Sequence, residues 1–131
     1  MNVALFGGIT QNERYLQGKK AVLTFVKENH FAFISQLCQN TSECFSQGDI
    51  LVFLPGGMDT LEALYAAIES KRRKEHDKQI LIANIAGYFD NALIMIDKSI
   101  CEGFTDETVQ DLYDIVHTAE ELSKYFYIGK K

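Results

Sequence analysis

The sequence predicts an α/β domain in which helices cover both faces of an open, mostly parallel sheet of five strands. Short apolar runs alternate along the chain with longer segments of helical periodicity. Several of these runs are apolar at every position, which is typical of parallel strands buried on both faces. Such alternation implies right-handed βαβ units and therefore a three-layer sandwich. For this doubly wound sheet we predict the strand order 2-1-3-4-5.

The pattern places the elements in order along the chain. We predict strands at Asn2–Phe6, Phe31–Ile34, Ile50–Leu54, Gln79–Asn84 and Leu112–Val116, and helices over residues 15–29, 36–47, 60–75, 88–102 and 119–127. The helix over 88–102 has the clearest periodicity, since Phe89, Leu93, Ile96 and Ile100 form one stripe that should face the sheet. Thr118 and Glu121 have the spacing of a capping box, which predicts the start of the last helix.

Length and charge limit the organisation and the partners. A chain of 131 residues with 47% hydrophobic content is near the usual size of one domain, so residues 1–131 are expected to form a single unit. The formal charge is −5, and the basic residues concentrate only at 71–74. This balance argues against nucleic acid and against an anionic membrane as partners, but it permits binding of one phosphate group.

Targeting, cysteine and metal signals are weak. The first residues enter a strand-like run without the features of a signal peptide, and no apolar stretch approaches the length of a membrane span, so we expect a cytoplasmic protein. The cysteines Cys38, Cys44 and Cys101 are scattered, which favours reduced structural thiols. No histidines or cysteines are spaced as metal ligands, and no cofactor is expected.

Two glycine loops are the candidate ligand site. Gly7 and Gly8 follow the first predicted strand, and Pro55, Gly56 and Gly57 follow the third. With the order 2-1-3-4-5, both loops open at the point where the strand order reverses, which is where doubly wound sheets bind ligands. Glycines let the backbone approach a ligand, and free amides at the start of the next helix hold phosphate, so a nucleotide is the natural candidate. Alternatively, each Gly-Gly pair only permits a tight turn.

The segment from Leu54 to Glu62 resembles the PGGxGTxxE signature of the LOG ("Lonely guy") family, whose members also carry the misleading name of lysine decarboxylases. Further segments resemble the family in the same order: His76–Gln79, Asn84–Asp90, Ile96–Lys98, Glu102–Phe104 and Thr118–Leu122. The resemblance covers about residues 50–126 closely and Asn2–Gly8 loosely. It implies a Rossmann-like fold, a homodimer and hydrolysis of the N-glycosidic bond of nucleoside 5'-monophosphates, including cytokinin nucleotides. It implies no PLP-binding lysine.

Three departures from the family pattern argue against catalysis. The catalytic Glu of the signature is replaced by Ala63, and the Gly before Thr60 is replaced by Asp59. The stretch Ser35–Asp49 is too short for the family's second glycine loop and its arginine segment. Glycosidic cleavage develops oxocarbenium character that a carboxylate stabilises, and an arginine would hold the phosphate. Neither group is present at its expected position.

The signature region itself has two interpretations. Asp59 is expected to be the N-cap of the following helix, with Glu62 completing a capping box, and these carboxylates would oppose a bound phosphate. Thr60 either donates its hydroxyl to a phosphate or starts the helix. Met58 is expected to pack between loop and helix rather than to recognise a ligand, and Arg14 is the one arginine near the first loop. The full candidate set for nucleotide or phosphate is Gly7, Gly8, Pro55, Gly56, Gly57, Met58, Asp59, Thr60 and Arg14, with Glu62 as the candidate catalytic carboxylate.

Three functions are compatible with the sequence. The first is a nucleotide- or phosphate-binding protein with weak or no catalytic activity. The second is an active nucleoside 5'-monophosphate phosphoribohydrolase that recruits Glu62, with an arginine from Arg14 or from Arg72 of the partner subunit. The third is a non-catalytic dimeric interaction domain. By resemblance, the helix after Gly57 and the helix after Gly87 would form the dimer contacts.

Overall fold

The computed structural model describes residues 2–8, 11–28, 32–34 and 48–129. Its strands are β1 (Asn2–Phe6), β2 (Ala32–Ile34), β3 (Ile50–Phe53), β4 (Gln79–Ala83) and β5 (Asp114–Val116). They lie in the order β2-β1-β3-β4-β5, and every neighbouring pair is parallel. The helices are α1 (Glu13–Glu28), α2 (Met58–Arg72), α3 (Asp90–Cys101) and α4 (Ala119–Gly129). The predicted α/β class with a parallel sheet is confirmed.

The sheet is buried on both faces. Along β3, Leu51 and Phe53 belong to the core cluster on one face, and Ile50 and Val52 belong to the cluster on the other. The helices α2 and α3 contribute to the first cluster, and α1 and α4 contribute to the second. Because both faces are covered, no strand position of β3 needs a polar side chain, which explains the uninterrupted apolar run.

The register brings the ends of the central strands to one edge. Phe6 pairs with Phe53, and just beyond them the Leu54 amide donates to the Phe6 carbonyl at 2.7 Å. At the neighbouring strand pair, the Asn84 amide donates to the Val116 carbonyl at 2.7 Å. The loops that follow β1, β3 and β4 therefore open at the same edge of the sheet.

Most predicted helices are found, with shifted ends. The predicted stripe of α3 is confirmed, because its four apolar residues pack in one core cluster. The capping box of α4 is confirmed in part: the Glu121 amide donates to Thr118 Oγ1 at 3.3 Å, but the Glu121 carboxylate accepts from the His117 amide instead of the Thr118 amide. The predicted helix over residues 36–47 lies outside the described residues.

The predicted start of the last strand at Leu112 is wrong. Residues Glu107–Leu112 form a 3₁₀ helix, and β5 begins at Asp114. Asp106 caps this short helix, since its carboxylate accepts from the Thr108 amide at 2.9 Å. None of the helices described here is long and apolar enough to cross a membrane.

Candidate functional site

The two glycine loops lie against each other, backbone to backbone. The Gly8 amide donates to the Pro55 carbonyl at 3.2 Å. A Cβ atom added at Gly8 would lie 3.2 Å from the Cα of Gly56 and 3.5 Å from the amide nitrogen of Gly57. The structure thus brings the two loops together, but it engages the Gly8 amide between them. Gly8 is part of the wall of the site and does not offer its amide to a ligand.

Gly56 and Gly57 differ in what their surroundings allow. A Cβ at Gly56 would lie 2.2 Å from Thr60 Oγ1 and 2.8 Å from the Gly8 amide nitrogen, so a side chain has no room there. Among the described residues, a Cβ at Gly57 would meet Asp59 Oδ1 at 3.4 Å and no other atom within 4 Å. Gly56 is therefore required for the contact between the loops, and Gly57 faces the space that a ligand would occupy.

The helix α2 begins two residues earlier than a capping box at Asp59 requires. Its N-cap is Gly57, without a side-chain cap, and the Leu61 amide donates to the Gly57 carbonyl at 3.1 Å. The predicted N-cap role of Asp59 with Glu62 is therefore wrong. Asp59 instead lies in the first turn, where its carboxylate accepts from the Thr60 amide at 2.9 Å. The amides of Met58 and Asp59 precede the first possible acceptor within the helix.

Two neighbouring side chains also differ from expectation. Met58 is 80% exposed, so the predicted packing of its side chain between loop and helix is wrong. Thr60 is buried in the first turn, and its hydroxyl lies beside the backbone of Gly56. It does not start the helix, because Met58 does.

The loop after β4 contributes the rim. The Tyr88 hydroxyl donates to the Gly56 carbonyl, and the Tyr88 ring contacts Tyr15 of α1 edge to face, with centroids 5.2 Å apart. Below this rim, the buried Asn84 accepts from the Phe89 amide at 2.7 Å and donates to Asp90 Oδ1 at 2.8 Å. Tyr88 therefore connects the second glycine loop to α1, and Asn84 fixes the backbone that carries Tyr88.

The candidate catalytic residues Glu62 and Arg14 are both exposed. Ala63 is 4% exposed and belongs to the core cluster under α2, whereas the next residue towards the N-terminus, Glu62, is exposed. Adjacent helical residues point in directions about 100° apart, so the Glu62 carboxylate does not occupy the space of the Ala63 methyl. Arg14 is exposed, and its Cζ lies 6.0 Å from the centroid of the Tyr15 ring.

Lys19 of α1 is a residue that the sequence reasoning missed. It is 6% exposed, and its Nζ donates to the Gly8 carbonyl. Burial lowers the pKa of its ammonium group, because the charged form loses hydration. A signal was present in the sequence: Tyr15, Lys19, Val22 and Val26 follow helical spacing, which places a lysine in an otherwise apolar stripe.

The chain is similar to known proteins over most of its length. The family model described as "Possible lysine decarboxylase" matches residues 11–126. This chain belongs to that family, the LOG family. It is 34% identical over 91 residues to the cytokinin riboside 5'-monophosphate phosphoribohydrolase LOG3 of Arabidopsis thaliana, a match that covers 70% of this chain and 42% of LOG3. With LOG1 of the same plant, which is named for the same activity, identity is 33% over 91 residues, covering 70% of this chain and 43% of LOG1.

The match to these relatives is partial in length. The chain spans about two-fifths of the curated LOG proteins that it matches. The match of the family model confirms the family membership that the segment from Leu54 to Glu62 predicted.

A separate concave region is lined by residues of α2 and α3 in this LOG-family chain. It is a cavity of about 480 Å³, and its lining includes Tyr65, Arg72, Met95 and Phe104. The Tyr65 hydroxyl donates to the Ala92 carbonyl at 3.0 Å, which joins the two helices. Arg72, predicted as a possible donor to a partner's site, is held by Glu69 through Nε contacts of 2.9 and 3.0 Å.

Proposed function

We propose that this chain binds a nucleoside 5'-monophosphate at its paired glycine loops, on a five-stranded Rossmann-like scaffold of order 2-1-3-4-5, with weak or no hydrolytic activity. The observation that carries the proposal is the backbone contact of Gly8 with Gly56 and Gly57 at the edge where β1 and β3 end. The first amides of α2 open beside this contact, and helix N-termini of this kind bind phosphate. The activity for which LOG3 and LOG1 are named, on a riboside 5'-monophosphate, supports this class of ligand.

Weak catalysis is proposed because the carboxylate expected by resemblance is absent from its position. The side chain at that position is the buried methyl of Ala63. Glu62 is exposed, and a carboxylate in full contact with water stabilises a developing oxocarbenium ion less than a preorganised one does. The negative charge of Asp59 in the first turn of α2 further weakens an anion site.

An active phosphoribohydrolase is the second candidate. The relatives are named for this activity. Arg72 lines the cavity on the α2 and α3 face, where it could supply the arginine that catalysis needs. In a dimer built on that face, Arg72 of the partner subunit would be the arginine to test, once released from its Glu69 pair.

The proposed assembly is a homodimer through the face of α2 and α3. Met95 is 57% exposed and Phe104 is 87% exposed on this side of the molecule. Exposed apolar side chains around a cavity are typical of a protein interface. If no ligand binds and the dimer forms, the chain is a non-catalytic interaction domain.

Binding is tested by isothermal titration calorimetry of the full chain with AMP, other nucleoside 5'-monophosphates and inorganic phosphate. Gly57→Leu places a side chain in the open space at the loop, so it should weaken AMP binding at least about 10-fold while the protein remains folded. Gln17→Leu adds the same side chain at an exposed position of α1 and should leave binding unchanged. If none of these ligands binds the wild-type chain, the proposed function is wrong.

Catalysis is tested by chromatography of free base released from the same nucleotides. We expect no release above that of the Glu62→Ala variant. Release that Glu62→Ala abolishes would establish the phosphoribohydrolase and overturn the proposal of weak or no activity.

A further inference from the structure

Lys19 is the one charged side chain that is buried among the described residues. Its Nζ donates to the Gly8 carbonyl, and this is its one partner within ranges 2–8, 11–28, 32–34 and 48–129. An ammonium group carries three N–H donors, so two donors have no acceptor among those residues. A buried donor without an acceptor costs free energy. A ligand that supplies an acceptor at this position would remove that cost.

Within the part of the chain that the structure describes, Lys19 also has no carboxylate partner. At or just beyond the C-terminal end of α2, Glu69 and Glu75 form ion pairs with Arg72 and Arg73. None of these carboxylates contacts Lys19. A buried cation that lacks an anion is unfavourable, and an anion bound beside it would supply the missing charge.

The position of Lys19 relative to the loops indicates which anion would bind beside it. Lys19 reaches the first glycine loop from α1, and the carbonyl it contacts belongs to the same residue whose amide bonds to Pro55. The first amides of α2 follow Gly57, whose amide nitrogen takes part in the close contact with Gly8. A phosphate at this contact would have both an ammonium group and helix amides as donors.

We propose that Lys19 binds the phosphate of the nucleotide at the glycine loops, an inference that rests on the function proposed above. Residues 35–49 contain no arginine, and Lys19 would supply positive charge to the phosphate in its place. Lys19 is a ligand-binding residue here, and no covalent step is assigned to it.

The test compares AMP with adenosine, because the two differ only in the phosphate. In calorimetry of the full chain, Lys19→Met should weaken AMP binding by about 10-fold or more, the usual loss for a hydrogen bond to a charged group. Adenosine binding should stay within about two-fold, because its hydroxyl carries no charge to pair with Lys19. A purely structural role for Lys19 would instead weaken both ligands together.

Matched variants separate charge from folding. Lys20→Met removes the same charge from the adjacent, exposed position and should leave AMP binding unchanged. Lys19→Gln keeps a donor for the Gly8 carbonyl without the charge, and Lys19→Arg keeps the charge. We expect AMP affinity to fall in Lys19→Gln and to be kept in part in Lys19→Arg. If Lys19→Met does not fold, Lys19→Gln decides the comparison.

The outcomes also separate this inference from the proposed function. If the wild-type chain binds AMP and the Lys19 variants bind it equally well, the role of Lys19 is overturned and the glycine site stands. If the wild-type chain binds neither AMP nor inorganic phosphate, both proposals are overturned.

Discussion

Asp59 shows how one side chain can stabilise a helix and oppose a ligand. Its carboxylate accepts from the Thr60 amide and lies at the positive end of α2, an arrangement that contributes about 0.3–1 kcal/mol to a helix. The same charge repels a phosphate placed at that helix end. The sequence could not separate this role from an N-cap, because the spacing of Asp59 and Glu62 fits a capping box although the helix begins at Met58.

The first prediction concerns Asp59→Asn. The Asn side chain keeps an acceptor for the Thr60 backbone amide but removes the negative charge. Because that charge no longer opposes the positive end of the helix dipole, affinity for inorganic phosphate should rise about 2- to 5-fold. Stability should fall by less than about 1 kcal/mol. Calorimetry and urea unfolding measure the two effects, with Asp97→Asn on α3 as control. Unchanged or weaker phosphate binding would show that the α2 terminus does not hold the anion.

The second prediction follows from the lowered pKa of Lys19. The ammonium is disfavoured in the folded state, where its pKa lies below the ordinary value of 10.5. The unfolded state therefore binds more protons between the folded pKa and about 10.5, and stability rises with pH across that window. Below the folded pKa, the charge is present in both states and its burial opposes folding.

This pH dependence is measured as the difference between wild type and Lys19→Met. The free energy of unfolding of the wild type should rise relative to that of Lys19→Met as pH increases towards 10.5. Burial raises the pKa of the Tyr65 and Tyr113 phenols, but these groups are common to the two proteins and cancel in the difference. A flat difference would contradict burial of the ammonium.

At the scale of elements, the contact between the loops depends on Gly56. Gly56→Ala should destabilise the fold by about 1–3 kcal/mol, the usual cost of forcing a methyl into packed surroundings. Its Cβ would lie 2.2 Å from Thr60 Oγ1 and 2.8 Å from the Gly8 amide. Urea unfolding measures the loss. Gly57→Ala is the control, expected within about 0.5 kcal/mol because its Cβ meets a single atom at 3.4 Å. Equal losses in the two variants would contradict the close approach of the loops at Gly56.

The sequence predicts best the elements whose apolar positions match the faces that are buried in the structure. The strands β3 and β4 are apolar on both faces because helices cover both faces, and the stripe of α3 is apolar because one face packs on the sheet. The start of β5 is less predictable, since Leu112 packs against the core from a 3₁₀ helix. Its apolar character is the same in either conformation.

The candidate site is predictable in its backbone and less so in its side chains. Glycines after β1 and β3 have a strong positional meaning, so the sequence indicates where the loops lie. The contact of Lys19 with Gly8 and that of Tyr88 with Gly56 are bonds from side chains to backbone carbonyls. Every residue has a backbone carbonyl, so the identity of the accepting residue does not reveal such a hydrogen bond.

At the scale of the whole molecule, the face of α2 and α3 carries the proposed homodimer. Met95→Asp places a charge among exposed apolar side chains, so the mass in light scattering should fall from dimer to monomer at micromolar concentration. Thr24→Asp adds the same charge to α1, which covers the opposite face of the sheet, and should leave the dimer intact. A monomeric wild-type chain, or a Met95→Asp dimer, would contradict this interface.

A crystal structure of the full chain soaked with AMP would show whether the paired glycine loops hold the phosphate of a nucleotide. We expect phosphate oxygens within hydrogen-bond distance of the first amides of α2 and of Lys19 Nζ, beside Gly8 and Gly57. AMP bound at another surface, or crystals that take up no nucleotide at concentrations far above physiological, would contradict the proposed phosphate site.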